Sequence, residues 1–270
     1  MIRLVAIDLD GTLLNSQLRV TPDTAQAICD YAAQGVLFTF CSGRCVSELN
    51  AIGDMVSGFR YAILCNGAYA LDLQTDALLH ERALTPEQAL ALYAIGAGLE
   101  MMFEPTFCDR VVTSAQKLAK LDDYGLGALT ATVRRTRDPV DDLERWLREN
   151  RRNIGKINIF FPSRAERDRA IERYAPYDYS YCHQLEHNFE INRPGADKGS
   201  ALAALAARLG LCADEVLAIG DNNNDLAMLD YAGTGVAMGN AIASVKARAD
   251  FITRSNDEDG VAYALRHILG

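Results

Sequence analysis

Asp8 and Asp10 stand two residues apart at the end of the apolar run Leu4-Val5-Ala6-Ile7, and Gly11 and Thr12 follow them directly. An apolar run with β-branched members, ended by acids and a glycine, predicts a buried parallel strand whose carboxyl end opens into a loop. In an open α/β sheet that edge is where ligands bind. Two partly desolvated carboxylates so close repel each other, so that one protonates or a cation lies between them. A hard divalent ion such as Mg²⁺ meets the second case, since it takes oxygen ligands and keeps several waters. Gly11 lets the backbone turn sharply and face its N–H groups toward an anion. A plain Asp-Gly turn accounts for the same letters when they are taken alone.

Three further stretches carry matching chemistry. The run Val36–Cys41 ends in Ser42-Gly43-Arg44, where a hydroxyl and adjacent N–H groups can bind a phosphoryl oxygen without adding negative charge; a simple helix start fits as well. Arg44 has two readings, a substrate or carboxylate holder and a structural ion pair. Lys198 opens the apolar helix running from Ala201 to Leu209, at the end of the dipole where a cation is disfavoured; carboxylates and a phosphate nearby would explain it, as would simple exposure. The run Val216–Gly220 ends in Asp221-Asn222-Asn223-Asn224-Asp225, a second acidic site at a strand end.

Taken together, Asp8-Leu9-Asp10-Gly11-Thr12-Leu13, Ser42, Lys198 and Asp221 with Asp225 resemble the motif series of the haloacid dehalogenase superfamily of phosphotransferases. The long insert before Lys198-Gly199, and the ending Asp257-Glu258-Asp259-Gly260-Val261, are similar to its Cof-like class IIB branch. Serine at position 42 departs from the commoner threonine and keeps the hydroxyl. The resemblance implies Asp8 as a nucleophile that becomes an aspartyl phosphate and Asp10 as acid and then base. It implies Mg²⁺ held by Asp8, the Asp10 carbonyl and Asp221, with Asn224 and Asp225 ordering its waters. Ser42 and Lys198 would hold the phosphoryl oxygens, and Gly11, Thr12, Gly43 and Arg44 would bind the substrate. The implied reaction is hydrolysis of small phosphate esters, sugar phosphates or related metabolites. Two alternatives share the residues: a phosphotransferase or phosphomutase that admits a hydroxyl instead of water, and a non-catalytic phospho-ligand-binding regulator, which would have no use for an acid at Asp10.

The elements that must position these residues are strand, helix and strand in alternation. Thr21-Pro22 with Ala25, Ile28 and Ala32 predicts a capped helix that Gly35 stops. A crossover of that length gives parallel strands and hence an α/β class, a doubly wound parallel, Rossmann-like sheet. Tyr61–Cys65 and Tyr69–Leu73 around Asn66-Gly67 predict a hairpin with a two-residue turn. From about Leu84 the pattern changes to amphipathic helices and half-exposed strands. The expected division is residues 1–83 and 192–270 as a discontinuous catalytic core, with 84–191 as an inserted α+β cap. Within the insert, helices are expected at Pro86–Ala97, Val140–Glu149 and Ala165–Arg173, and strands at Leu99–Phe103, Arg110–Thr113, Lys156–Phe161, Tyr179–His183 and Phe189–Ile191. By the resemblance, this cap closes over the substrate and selects the leaving group.

His183 and His187 with Cys182 are read as strand and turn residues rather than a zinc site. Arg134-Arg135-Thr136-Arg137 is read as a solvated face, diluted by Asp138, Asp141, Asp142 and Glu144. The formal net charge of −9 argues against nucleic acid or an anionic membrane as partner. A small phosphorylated metabolite is the expected partner, with the chain a monomer or homodimer. Seven scattered cysteines without C-x-x-C spacing read as free thiols of a cytoplasmic protein. No signal peptide is expected, and the longest apolar stretch, Ala89 to Leu99, is too short to span a bilayer.

Overall fold

The computed structural model describes residues 1–51, 57–182 and 186–270. The chain forms two compact units, Met1–Arg44, Ile52–Glu81 and Asp197–Gly270 in the first, and Cys45–Ala51 with Arg82–Ala196 in the second. Compared with the expected division, the first unit ends at Glu81 and resumes at Asp197. The short segment Cys45–Ala51 groups with the second unit because its backbone is tied there: Val46 N–H donates to the Cys108 carbonyl (2.9 Å) and Ser47 N–H to that of Asp109 (3.1 Å).

In chain order the first unit contributes strands β1 (Leu4–Asp8), β2 (Leu37–Cys41), β3 (Phe59–Leu64), β4 (Tyr69–Asp72) and β5 (Ala77–Glu81). The second contributes β6 (Met102–Thr106), β7 (Val111–Ser114), β8 (Arg137–Val140), β9 (Lys156–Phe160), β10 (Ser180–Cys182) and β11 (Asn188–Asn192). The first then closes with β12 (Val216–Gly220), β13 (Thr234–Ala237) and β14 (Phe251–Ile252).

The first unit's eight strands lie in the order β14-β13-β12-β1-β2-β3-β4-β5. From β14 to β3 every pairing is parallel, and the β3-β4-β5 edge is antiparallel. β1 and β12 are buried along their whole length, as continuous apolar runs in a sheet covered on both faces must be. Strand order runs outward from β1 through β2 to β3, and in the other direction from β12 through β13 to β14. The carboxyl ends of β1 and β12 therefore flank the topological switch point, where a crevice opens beyond the strands. The Pro22–Ala33 helix forms with Thr21 as its cap, its hydroxyl accepting from Thr24 N–H. Its buried face is Thr24, Ala27, Ile28 and Tyr31 rather than one centred on Ala25 and Ala32.

The hairpin after β3 is present, but its connection is longer than a two-residue Asn-Gly turn. Leu64 pairs with Tyr69, leaving Cys65–Ala68 as the loop, with Cys65, Asn66 and Gly67 all at positive φ. The cause is tertiary: Cys65 N–H donates to the Arg44 carbonyl and Asn66 N–H to that of Ser42, so the loop is shaped by the end of β2. Gly67 completes this fit, because a Cβ there would lie 2.1 Å from the Asp197 carbonyl oxygen at the start of the Lys198–Arg208 helix.

The second unit is an α+β module with strand order β10-β11-β9-β6-β7-β8, antiparallel except for β7 with β8. Phe103, Ile157, Ile159, Phe189 and Ile191 alternate onto one face and pack with Leu92, Leu147 and Tyr174 from the helices Pro86–Ile95, Leu143–Glu149 and Arg164–Tyr174. Trp146 is half-buried in this core, its ring edge-on to Phe107. The expected strand Leu99–Phe103 lies instead at Met102–Thr106. Pro105 is tolerated inside it because β7 joins only at Thr106. The expected helix at Val140–Glu149 begins at Leu143, with Asp142 as its cap and Val140 ending β8.

The Arg134–Arg137 run differs most from its expected solvated face. Arg137 is not on a solvated face but is buried on β8, donating to both oxygens of the buried Glu104 and, at 2.7 Å, to Glu48. Charge patterning alone could not show that one arginine of three alternates inward when the run ends in a strand. His183 lies outside the described residues, and His187 is half-buried.

Candidate active site

Five chemically apt side chains converge at the carboxyl edge of the first sheet. Asp8 ends β1, Asp221 follows β12, Asp225 closes the short 3₁₀ turn Asn223–Asp225, Lys198 begins the Lys198–Arg208 helix, and Thr12 lies in the turn after β1. Lys198 is fully buried, so simple exposure does not explain it. Its ammonium donates to Asp8 Oδ1 at 2.5 Å and to Asp225 Oδ1 at 2.6 Å. The other oxygen of Asp225 accepts from the backbone N–H groups of Asp221 (2.9 Å) and Asn222 (3.0 Å), which fixes the acidic loop. Asp221 Oδ1 accepts from the Thr12 hydroxyl at 3.1 Å. Among the described residues, no donor reaches Asp8 Oδ2 or Asp221 Oδ2.

Single carboxylate oxygens of Asp8, Asp221 and Asp225 lie within 4.8 Å of one another. An all-oxygen donor set of this size suits a hard divalent cation. Gly11 keeps that space open: its φ is +86°, and a Cβ would stand 2.6 Å from Asp221 Oδ2. The electrostatics agree. Burial, then the charges of Asp225 and Asp221, push the Asp8 carboxyl well above the usual range despite Lys198. Burial, then Asp225, pushes Asp221 up to about 6. Burial alone would lower Lys198, but Asp225 and Asp8 outweigh it and hold the ammonium above the ordinary lysine range. Three carboxylates around one ammonium leave a negative excess, which a bound cation would neutralise.

Ser42 is buried at the end of β2, its N–H bound to the Ile63 carbonyl and its Oγ accepting from Arg44 N–H at 3.1 Å. Gly43 follows it, half-buried. Arg44 grips Asp10 with two hydrogen bonds of 2.8 and 2.7 Å. Asp10 is thus half-exposed and turned to Arg44 rather than into the three-carboxylate group. Asn224 is half-buried on the acidic turn.

Sequence reasoning passed over two sets of residues. Cys65 and Asn66 brace the loop carrying Ser42 and Arg44, and Asn240 with Asn256 brace the turn after β1, Asn240 Nδ2 donating to the Gly11 carbonyl at 2.8 Å. Asn66 and Asn240 carry only the signal of an asparagine beside a glycine, which any turn shares, and Asn256 lacks even that.

A doubly wound sheet carrying a buried lysine and carboxylates at its switch point defines an α/β enzyme with a carboxylate-centred site. A protein-family model described as haloacid dehalogenase-like hydrolase matches residues 5–265. The chain is 30% identical over 294 residues to phosphatase YwpJ of Bacillus subtilis (strain 168), covering 99% of this chain and 100% of that protein. It is 30% identical over 285 residues to 5-amino-6-(5-phospho-D-ribitylamino)uracil phosphatase YwtE of the same organism, with 98% and 97% covered. A haloacid dehalogenase-like hydrolase from Bacteroides thetaiotaomicron superposes with a TM-score of 0.86 at 26% identity, covering 99% of this chain and 100% of that one. The chain belongs to the haloacid dehalogenase-like hydrolase family, as its motifs led one to expect, and it is an enzyme of the phosphatase kind. No helix among the described residues is long and apolar enough to cross a membrane.

Proposed function

We propose that this enzyme is a Mg²⁺-dependent phosphohydrolase of small phosphate esters, sugar phosphates or related polyol phosphates, working through an aspartyl phosphate on Asp8. The observation that carries the reading is the asymmetry of Asp8: Lys198 holds Oδ1, while among the described residues nothing donates to Oδ2. That leaves an oriented oxygen to attack phosphorus in line. As the Asp8–phosphorus bond forms, the bond to the ester oxygen breaks, and Asp10 gives that oxygen a proton. Water then attacks the aspartyl phosphate, Asp10 takes its proton, and phosphate leaves with Asp8 restored. Arg44 keeps the Asp10 carboxyl oriented in the resting enzyme. Ser42, Lys198 and the N–H groups around Gly11, Thr12 and Gly43 hold the phosphoryl oxygens, and Arg44 adds charge at the same edge. Mg²⁺ on Asp8, the Asp10 carbonyl and Asp221, its waters ordered by Asn224 and Asp225, would neutralise the carboxylate excess and the phosphoryl charge.

The second unit, with its own core and most of its chain running from Arg82 to Ala196, is the part we assign to leaving-group selection. The relative YwtE is named for a substrate phosphorylated on a ribityl chain, which supports polyol phosphates as the class to try first. The seven free thiols suit a cytoplasmic setting. The test is phosphate release from a panel of sugar and polyol phosphates, with Mg²⁺ and with chelator, for the wild type and Asp8→Asn. Mg²⁺-dependent release that Asp8→Asn abolishes is the expected result. Activity indifferent to Asp8 overturns the mechanism, and product appearing only with an acceptor alcohol makes the enzyme a phosphotransferase.

A further inference from the structure

The turn from Gly11 to Leu14 is held from outside by two asparagine side chains that the mechanism does not use. Asn240, in the loop after β13, donates from Nδ2 to the Gly11 carbonyl at 2.8 Å and accepts at Oδ1 from Asn256 N–H at 3.0 Å. Asn256 in turn donates from Nδ2 to the Leu14 carbonyl at 2.9 Å. Asp257 continues the line, accepting from Ser16 N–H at 2.8 Å. The network sets the direction of the Asn240 amide, since its oxygen must face the Asn256 N–H and its nitrogen the Gly11 carbonyl.

A turn built on glycine needs such a brace. Gly11 is required at φ +86°, beside Asp221, and that same freedom lets its peptide planes rotate cheaply. The Gly11–Thr12 peptide orients Thr12, whose hydroxyl bonds Asp221 Oδ1, and Thr12 has the weakest of the turn's own bonds: its N–H lies 3.4 Å from the Leu9 carbonyl, against 3.1 Å for Leu13 N–H to Asp8 and 2.9 Å for Leu14 N–H to Leu9. Rotation at Gly11 would move Asp10, Thr12 and, through Thr12, Asp221 together.

We propose that Asn240 and Asn256 are positioning residues for phosphoryl transfer, a two-amide clamp that locks the Gly11–Leu14 turn in its reactive shape. The inference rests on the phosphohydrolase reading above. Asn240→Asp is the discriminating variant, because it keeps the size and the acceptor for Asn256 N–H and replaces the donor to Gly11 by a charged oxygen that the Gly11 carbonyl repels. Asn256→Ala removes the second arm. The clamp predicts that kcat falls about tenfold or more in Asn240→Asp while KM stays within about twofold, the signature of lost transition-state alignment. Hydrogen–deuterium exchange of the peptide covering residues 9–16 should quicken in both variants, with the rest of the first unit unchanged. An active wild type matched in kcat by Asn240→Asp, or unchanged exchange in residues 9–16, overturns the clamp alone. A wild type that releases no phosphate from any ester overturns the phosphohydrolase reading, and the clamp's catalytic role with it.

Discussion

Lys198 in the first unit and Arg137 in the second are both buried cations set between two carboxylates, yet they do different things. Arg137 spends its fork on Glu104 (2.9–3.2 Å) and Glu48 (2.7 Å), and the remaining Glu48 oxygen accepts from Cys45 N–H. Every carboxylate oxygen there has a donor. Around Lys198 the count does not close: Asp8 keeps one oxygen without a donor, and the adjoining Asp221 has a hydroxyl partner rather than a cation among the described residues. Burial raises acid pKa values in both places, at Glu104 against Arg137 and at Asp8 against Lys198. A saturated buried ion pair is architecture; an unsaturated one, costly to keep, is chemistry.

The largest expected effect tests the unsaturated oxygen. Asp8→Asn should lower phosphate release by about a thousandfold or more while leaving the circular dichroism spectrum native; retained turnover would erase the distinction between the two clusters. Next comes the pair of cations. Lys198→Met should cost about a hundredfold in kcat. Arg137→Met should strand Glu104 and Glu48 and lower stability by about 3–5 kcal/mol, read from urea midpoints, with turnover per folded molecule reduced far less than in Lys198→Met. Equal losses of turnover in the two variants would mean that Arg137 also serves the reaction.

A smaller effect lies in pH. Burial and then Asp225 push the Asp221 carboxyl up to about 6 in the folded protein, from near ~4 when unfolded, so the folded state binds that proton more tightly. This raised acid stabilises the metal-free protein below pH ~4, and the contribution is lost as pH rises to about 6. In chelator, the Tm of wild type relative to Asp221→Asn should fall across that window. The Tm gain on adding Mg²⁺ should be larger at pH 7 than at pH 5, because the ion competes with the proton. An unchanged Tm difference would show that Asp221 ionises in the fold as readily as in the unfolded chain. The smallest effect belongs to an exposed pair of the same charge types: Arg145→Ala, which loses the 2.9 Å contact with Glu149, should move Tm by no more than about two degrees.

Much of the site was legible because its residues sit where local patterning changes. Apolar runs ending at Asp8, Ser42 and Asp221 announce strands and their carboxyl edges, and parallel sheets gather such edges on one side. The hairpin after β3 was legible too, though not its length, because the Ser42 and Arg44 carbonyls draw Asn66 and Cys65 into the loop. Arg137 was not legible, because a basic run such as Arg134-Arg135-Thr136-Arg137 carries no sign of which arginine turns inward.

By itself the sequence determined the class of the fold, the order of the motifs and the family, since each depends on runs of a few residues. Only the tertiary structure decided that Lys198 reaches Asp8 across 190 positions of chain, that Arg44 turns Asp10 aside, and that Asn240 and Asn256 hold a turn more than two hundred residues away. The physical reason is that hydrogen bonds are met at a distance set by strand order and loop path. A short-range pattern can place a donor at the edge of a sheet, but it cannot say which acceptor the fold will bring to it.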